Sequence, residues 1–358
     1  MRILLLNWKK RTHPQAGGAE IVTAAFIKEL IARGHEVTWF SQGQGLSLYI
    51  NAYVFYKKQQ QSFDLVIDQI HGLPFFTPLY VKKPILAYIH EVAGIIWFKE
   101  FSPWIAPVGW LIEQVYFSLY RNTHFLTHSL STKTELIQKG ISAKQITIIQ
   151  PARKIDKHSL PKKSKIPTLI YIGRFSAMKR VDLLLSAVAQ IKNQIGQLQV
   201  YVCGDGKPDY INYLTGLIQK LQLESVIIVK IRVTEKLKYQ LLAKSWLHIQ
   251  PSIKEGFGLT VLESALCGTP TVCFNVAGLR DLVHDQTNGV IVTKQSSTTL
   301  AQTIIALLRQ PKTVKKLAAA SHQWAKKWPP QEKQTQKLEK LLKRIVATRA
   351  VISPTKRN

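Results

Sequence analysis

Cysteine is scarce in this 358-residue chain, with only Cys203, Cys267 and Cys273 present. The odd count and the lack of any C-x-x-C pair exclude a disulfide framework and a cysteine zinc site as the basis of the fold. They leave small thiols suited to burial in a reducing compartment. Proline and glycine are few as well, 16 and 19, which excludes collagen and most low-complexity disorder. No apolar run reaches the roughly 18–20 residues that a membrane span needs. The opening Met1-Arg2-Ile3-Leu4-Leu5-Leu6 is too short for a signal peptide and is followed by Lys9-Lys10. It reads instead as a first buried strand of a cytoplasmic protein. Acid is the largest shortfall: 21 Asp and Glu stand against 49 Lys and Arg, a net charge of +28. Such an excess calls for something anionic, whether nucleic acid, an anionic lipid surface or a phosphorylated ligand. The chain lacks a helix-turn-helix signature, zinc fingers, RNP-like aromatics and KH-type glycine loops, and its charge is spread along its length. A nucleic-acid-binding role is therefore the weaker alternative.

What is present is alternation. At 358 residues the length suits two domains. Short runs rich in Ile, Val and Tyr (Arg2–Leu6, Val37–Phe40, Leu65–Ile67, Ile85–Ile89, Phe125–Thr127, Ile146–Ile149) alternate with helix-period segments such as Gly18–Arg33. Thr132-x-x-Glu135 has the form of a capping box opening another helix. From Pro151 to Pro167 the texture changes: three prolines and six basic residues without apolar periodicity read as a linker. Strand signals then resume at Leu169–Ile172, Val200–Val202, Val226–Ile231, Leu247–Ile249, Thr271–Phe274 and Val290–Val292. Between them lie helix signals at Val181–Gln194, Asp209–Leu221, Glu235–Ala243 and about Phe257–Leu266. After Pro329-Pro330 a basic helix starts at Gln331, with Leu338, Leu341, Leu342 and Ile345 on one face. The expected organisation is α/β: a Rossmann-like domain over 1–150, a linker over 151–167, a second Rossmann-like domain over 168–328, and over 329–358 a final helix and basic tail.

Ligands of open parallel sheets bind beyond the carboxyl ends of the strands, and there the sequence is distinctive. Gly17-Gly18 opens a helix whose free N–H groups face an anion. No G-x-G-x-x-G occurs at this turn, so a nicotinamide dinucleotide is unsupported. His90-Glu91 follows the fourth strand candidate; as a residue type in that place, His90 is equally a core histidine. Gly173-Arg174 and Lys179-Arg180 gather cations at a strand–helix turn. Cations there oppose the helix dipole, at roughly 0.3–1 kcal/mol each, unless an anion offsets them, and a phosphate suits Arg and Lys together. The densest signal is Glu255-Gly256-Phe257-Gly258-Leu259…Glu263. Glu263 lies beside an apolar helix stripe, which is costly for a carboxylate without a partner; ribose hydroxyls are suitable. Eight residues of helix rise about 12 Å, too far for Glu255 and Glu263 to form the roughly 5–5.5 Å carboxyl pair of a retaining glycosidase. There is no D-x-D metal motif at a strand end.

In Gly173-Arg174…Lys179, Cys203-Gly204-Asp205-Gly206, Glu255-x7-Glu263 and Gly278-Leu279-Arg280-Asp281 the chain resembles the retaining glycosyltransferases of the family-four group, the glycosyl transferases group 1. The resemblance implies a GT-B fold, two Rossmann-like domains facing each other across a cleft, with the last helix crossing back onto the first domain. It implies transfer of a hexose from a nucleotide-diphosphate sugar to a hydroxyl acceptor, with retention, no metal and no cofactor. Arg174 and Lys179 match the pair that holds the diphosphate, Glu255 the acid at the donor sugar, and Glu263 the residue on the ribose. Gly173, Gly204 and the backbone of Gly256, Phe257, Gly258 and Leu259 belong to the donor-binding set. Gly17 and Gly18 match the first-domain loop near the diphosphate, and His90 the histidine near the transferring sugar. Another GT-B enzyme, such as a sugar-nucleotide epimerase, is the alternative. Trp97, Phe98, Phe101, Trp104, Trp110, Tyr116, Phe117 and Tyr120 crowd the acceptor-side domain, interrupted by Pro103, Pro107 and Gly109. They either fill its core or line the interdomain cleft, or they seat a peripheral protein on an anionic membrane, where a lipid-linked acceptor is delivered.

Overall fold

The computed structural model describes residues 1–10, 12, 17–153 and 160–352, the side chains of 349–352 excepted. The chain divides into two compact units, Met1–Ala152 with Pro329–Asn358, and Arg153–Trp328.

In the first unit, β1 (Arg2–Leu6), β2 (Glu36–Phe40), β3 (Leu65–Ile70), β4 (Ile85–Ile89), β5 (His124–Thr127) and β6 (Ile146–Ile148) form one sheet in the order β2-β1-β3-β4-β5-β6. Its strand pairs are parallel. β3 is buried at every residue and β4 likewise, as expected of strands covered on both faces. The pleat sorts the helices. Leu4, Leu6 and Val66 pack against α2 (Leu46–Gln59), and Ile70, Ala87, Ile89 and Phe125 against α4 (Ile105–Leu119). Val66 and Ile70 are four apart in β3 and so point the same way; α2 and α4 cover one face. On the other face lies α1 (Gly18–Ala32), which packs against α12 (Gln331–Ile352). Leu338, Leu341 and Leu342 of α12 are buried there, worth roughly 1.5–3 kcal/mol each as an upper bound. Glu339 adds contacts to Arg33 at 3.5 Å and His35 at 3.4 Å. The last helix thus belongs to the first unit, as expected; residues 353–358, the basic tail, lie outside the described residues.

The second unit holds β7 (Thr168–Phe175), β8 (Gln199–Gly206), β9 (Ile227–Ile231), β10 (Leu247–Gln250), β11 (Thr271–Phe274) and β12 (Gly289–Val292) in the order β12-β11-β10-β7-β8-β9. These too are paired in parallel. α6 (Val181–Lys192), α7 (Pro208–Lys220), α8 (Glu235–Lys244), α9 (Leu259–Leu266), α10 (Ser297–Leu308) and α11 (Pro311–Lys326) complete it. The three cysteines are free and buried, and burial pushes each thiol up to about 12.

Several sequence expectations change, among them the ends of β3 and β7, which run on to Ile70 and Phe175. Ser129, not Thr132, caps α5 (Leu130–Gln138): its hydroxyl accepts from the Thr132 N–H at 3.1 Å, which places Thr132 in the first turn. The helix expected from about Phe257 starts at Leu259, after Gly258 at φ 92°. Glu255 is therefore off the helix, and the eight-residue rise does not apply to the pair. Pro107 and Gly109 do not break the aromatic segment. Pro107 sits in the first turn of α4, where its missing N–H is tolerated. Gly109 sits where α4 crosses Trp97, and a Cβ there would lie 2.4 Å from the indole. Last, residues 160–167, read as the end of a linker, are fastened to the second unit. The Lys163 ammonium donates to the Ser245 carbonyl and the Thr269 hydroxyl, both at 2.6 Å, and Trp246 donates to the Ser164 carbonyl. Residues 154–159 lie outside the described residues.

Candidate functional site

Each sheet has a strand from which the chain departs in both directions: β1 between β2 and β3, and β7 between β8 and β10. The crevice beyond the carboxyl end of such a strand is where open α/β sheets bind ligands. Both crevices here are polar.

In the second unit the β7 end carries Gly173 and Arg174, the latter exposed, and the β10 end leads through Ser252 to Glu255. The strands come close at β7 and β8. A Cβ on Gly204 would lie 1.9 Å from the Gly173 carbonyl, so only glycine fits. Lys179, in the turn after β7, reaches Glu255 at 2.6 Å. The same oxygen, Oε1, accepts from the Gln250 amide at 2.8 Å and the Ser252 hydroxyl at 2.8 Å. Burial pushes this carboxyl up, but Lys179 and the hydrogen bonds from Lys179, Ser252 and Gln250 outweigh it and hold Glu255 below the ordinary range. Glu255 is thus a carboxylate at neutral pH. Its loop is pinned from behind: the Glu255 N–H donates to the Ala277 carbonyl, and a Cβ on Gly278 (φ 78°) would lie 2.2 Å from the Glu255 carbonyl oxygen.

Glu263 sits in α9 and is 2% exposed. The sequence identifies its need for a partner but not which partner. Oε1 meets the Lys238 ammonium at 2.9 Å and the Arg153 Nε at 3.0 Å. Lys238 also reaches Glu235 at 2.9 Å. Of the backbone expected near the phosphates, Gly256 is half-buried and Leu259 begins α9, while Phe257 turns its ring into the core against Trp328. Phe257 therefore offers a ligand its backbone alone.

In the first unit the crevice combines one buried acid, Glu20, with amide, hydroxyl and imidazole groups. Gly17 precedes α1 and Gly18 begins it; the Gly17 N–H donates to Glu20 Oε2 at 2.7 Å. Gln69, at the end of β3, accepts on Oε1 from Asn7 Nδ2 at 2.9 Å and from the Thr23 hydroxyl at 3.2 Å. Its amide nitrogen must then be the donor to His90 Nε2 at 3.0 Å, so His90 carries its proton on Nδ1. Burial, then the nearby His128 and His71, hold His90 well below the ordinary histidine range. His128 repeats the pattern. Its Nδ1 donates to the Ile149 carbonyl at 2.6 Å and its Nε2 accepts from the Tyr88 hydroxyl at 2.7 Å. Burial holds it at about 4.

Within the second unit, then, Lys179 and Glu255 are brought together, Glu263 is held by separate cations, and Gly173 and Gly204 form the strand ends. Gly17, Gly18 and His90 belong to the other unit's crevice. Gln69, Gln250, Ser252, Lys238 and Arg153 are absent from the sequence reading. Gln250 and Ser252 could have been found from their place just ahead of Glu255. Gln69 depends on strand order, and Lys238 and Arg153 on which helix and segment lie beside α9.

The two sheets define a GT-B fold, shared with the Anabaena protein HepE in complex with UDP-glucose. That structure aligns at a TM-score of 0.77 and 20% identity, over 96% of this chain and 99% of that one. Residues 152–324 match the family model of the glycosyl transferases group 1. A D-inositol 3-phosphate glycosyltransferase of Frankia alni is 29% identical over 198 residues, 53% of this chain and 48% of that protein. An N-acetyl-alpha-D-glucosaminyl L-malate synthase of Bacillus anthracis is 24% identical over 83% of this chain and 86% of its own length. The chain spans about half the length of the inositol-phosphate relatives it matches.

Proposed function

We propose that the protein is a metal-independent retaining glycosyltransferase that moves a hexose from a nucleotide-diphosphate sugar to a hydroxyl acceptor, in the synthesis of a cell-surface polysaccharide or glycolipid in the cytoplasm. The single observation that carries this reading is the Lys179–Glu255 contact beyond the β7 and β10 ends, inside the stretch that matches the family. The names of relatives support it: one acts on inositol 3-phosphate and one forms a glucosaminyl malate, and the Anabaena neighbour binds UDP-glucose.

In this reading the diphosphate lies against Gly173, Gly204 and the Gly256–Leu259 backbone, with Glu263 toward the ribose. Bound diphosphate takes up Arg174 and Lys179. As the bond from C1 to the β-phosphate oxygen lengthens, negative charge gathers on that phosphate and positive charge on the sugar ring. The guanidinium and ammonium stabilise the first without a reorganisation step. Glu255, a carboxylate by its surroundings, accepts from sugar hydroxyls and favours the second. The acceptor oxygen bonds C1 from the face the phosphate leaves, and its proton passes to the phosphate. His90, neutral with its proton on Nδ1, donates to the sugar. The deciding experiment is a thermal-shift panel of nucleotide diphosphates and nucleotide sugars on the wild type, Lys179→Ala and Glu255→Ala. Lys179→Ala is expected to weaken diphosphate binding, and Glu255→Ala to lose transfer while largely keeping nucleotide affinity. Equal nucleotide affinity in wild type and Lys179→Ala would overturn the phosphate assignment.

A further inference from the structure

Helix α4 is apolar on both sides. Its inward side, Ala106, Gly109, Tyr116 and Phe117, is buried on the sheet. Its outward side carries Trp104, Val108, Leu111, Ile112, Val115 and Leu119, spaced i, i+4, i+7, i+8, i+11 and i+15 along one face. Trp104 just ahead of the helix is 88% exposed, Val115 66%, Leu111 57% and Val108 55%. An all-round apolar helix is ordinarily buried, and a row this long is beyond the scattered apolar exposure normal for a monomer. α3 (Ile96–Glu100) and the turn after it add Phe98 and Phe101, also exposed.

Of the aromatics in this segment, Trp97, Tyr116, Phe117 and Tyr120 fill the core. The other aromatics face out. The amide and the hydroxyl on the outward side are hydrogen-bonded within the chain. Gln114 donates to the Trp110 carbonyl at 3.2 Å and Ser118 to the Val115 carbonyl at 2.6 Å. The one acidic or basic residue of α4, Glu113, is turned inward, where both its oxygens accept from the Gly94 N–H and Oε2 accepts from the Trp97 indole at 2.7 Å. A face this apolar, whose amide Gln114 is held within the chain by Lys139 at 2.5 Å, suits hydrocarbon better than a protein partner, whose interface would offer polar groups to be paired.

The surrounding charge selects the sign of the surface. Between residues 46 and 121 the exposed ionisable side chains are Lys57, Lys58, Lys82, Lys99 and Arg121, while Asp64, Asp68, Glu91, Glu100 and Glu113 are half-buried or buried. α2, on the same face of the sheet, ends in Lys57 and Lys58 after the exposed Leu46, Ile50, Tyr53 and Val54. The fifteen residues of α4 measure about 22 Å, short of the roughly 30 Å of hydrocarbon in a bilayer. Among the described residues no helix is long and apolar enough to cross a membrane. Such a helix lies in the plane of the interface.

We propose that the outward face of α4, with the α3 turn ahead of it, is a docking surface for an anionic lipid bilayer. The apolar row sinks among the acyl chains, and Lys57, Lys58, Lys99 and Arg121 sit at the level of the lipid phosphates. The proposal rests on the surface of the first unit alone and stands whether or not the protein transfers sugars.

The test is cosedimentation of the full chain with vesicles of phosphatidylcholine, alone or mixed with phosphatidylglycerol, at low salt. Wild type is expected to sediment with the mixed vesicles, and the triple variant Val108→Ser/Leu111→Ser/Val115→Ser to bind them more than about tenfold more weakly. Lys57→Gln/Lys58→Gln is expected to lose about fivefold per charge removed. These positions are exposed, so thermal melts should match wild type. Quenching of tryptophan emission by brominated lipid should fall in Trp104→Phe. Failure of wild type to sediment, or equal binding by wild type and the triple variant, would overturn the proposal. So would a wild-type dimer, seen by sedimentation velocity without lipid, that the triple variant abolishes without any vesicle binding; a second copy of the chain would then cover the face.

Discussion

The two units solve one topological problem with opposite chemistry. Each places polar groups beyond the end of the strand where its sheet reverses direction. In the second unit those groups are ions set against ions: Lys179 on Glu255, Lys238 and Arg153 on Glu263. In the first, apart from the acid Glu20 on the Gly17 N–H, they are neutral and ordered by hydrogen bonds, Asn7 and Thr23 on Gln69 and Gln69 on His90. A crevice of paired ions can trade its partners for those of a charged ligand. A crevice of neutral donors and acceptors fixes an orientation and leaves the net charge unchanged. On the proposed function the ionic crevice of the second unit suits a charged donor, and four measurements would break or sharpen the comparison.

The largest effect should come from the ionic crevice. Lys179→Ala is expected to lower kcat/KM for transfer by about a thousandfold, some 4 kcal/mol, the scale of one lost donor at a developing charge. Steady-state kinetics with a nucleotide sugar read it, and a loss below tenfold would remove Lys179 from the chemistry. Next, Glu263→Ala leaves the buried Lys238 and the half-buried Arg153 without their shared carboxylate and should destabilise the second unit by about 3 kcal/mol. Glu263→Gln tests whether charge or hydrogen bonding carries this. A denaturant midpoint unchanged in both would show that the cations find other partners. The neutral crevice should respond less. Gln69→Leu frees His90 Nε2 to take the proton, and transfer is expected to fall about tenfold, roughly 1.4 kcal/mol, with nucleotide affinity unchanged. Gln69→Glu is expected to raise the His90 pKa by placing a carboxylate on its Nε2, visible in the pH–rate profile. A role in packing alone would leave that profile where it was.

The sequence made strands and their order along the chain legible, because a buried parallel strand is a short Ile/Val-rich run bounded by polar turns. β3 reached Ile70 rather than Ile67 because Asp68 and Gln69 look like a strand end. Both are buried and paired inside, Asp68 with the hydroxyls of Thr77 and Tyr120. α4 was read as a broken aromatic segment because Pro107 and Gly109 are helix breakers in isolation. What makes Gly109 right is the Trp97 ring against it, a contact no local window contains. The same limit governs the site. Glu255 and Lys179 stood out by residue type at strand ends, whereas Gln69 acquires a role only once β3 is seen between β1 and β4.

The smallest effect is a pH dependence that both units share for one physical reason. His128 in the first unit and His248 in the second are buried neutral, held by burial at about 4 and about 3. An unfolded chain returns each to about 6.5. Below that value the unfolded state takes up a proton that the native state refuses, so stability rises with pH between the two values and is lost as pH falls. From pH 7 to pH 6 the loss is about 0.7 kcal/mol per histidine, steepening to about 1.4 kcal/mol per pH unit further down. For His128 the slope ends near pH 4, where the native state also protonates. Denaturant midpoints at pH 7 and pH 6 measure it. His128→Gln should flatten the dependence of the first unit's transition and His248→Gln that of the second. A first-unit transition that weakens equally with and without His128 would mean that another group there carries the titration, and His90, bonded to Gln69 beside it, is the next to remove.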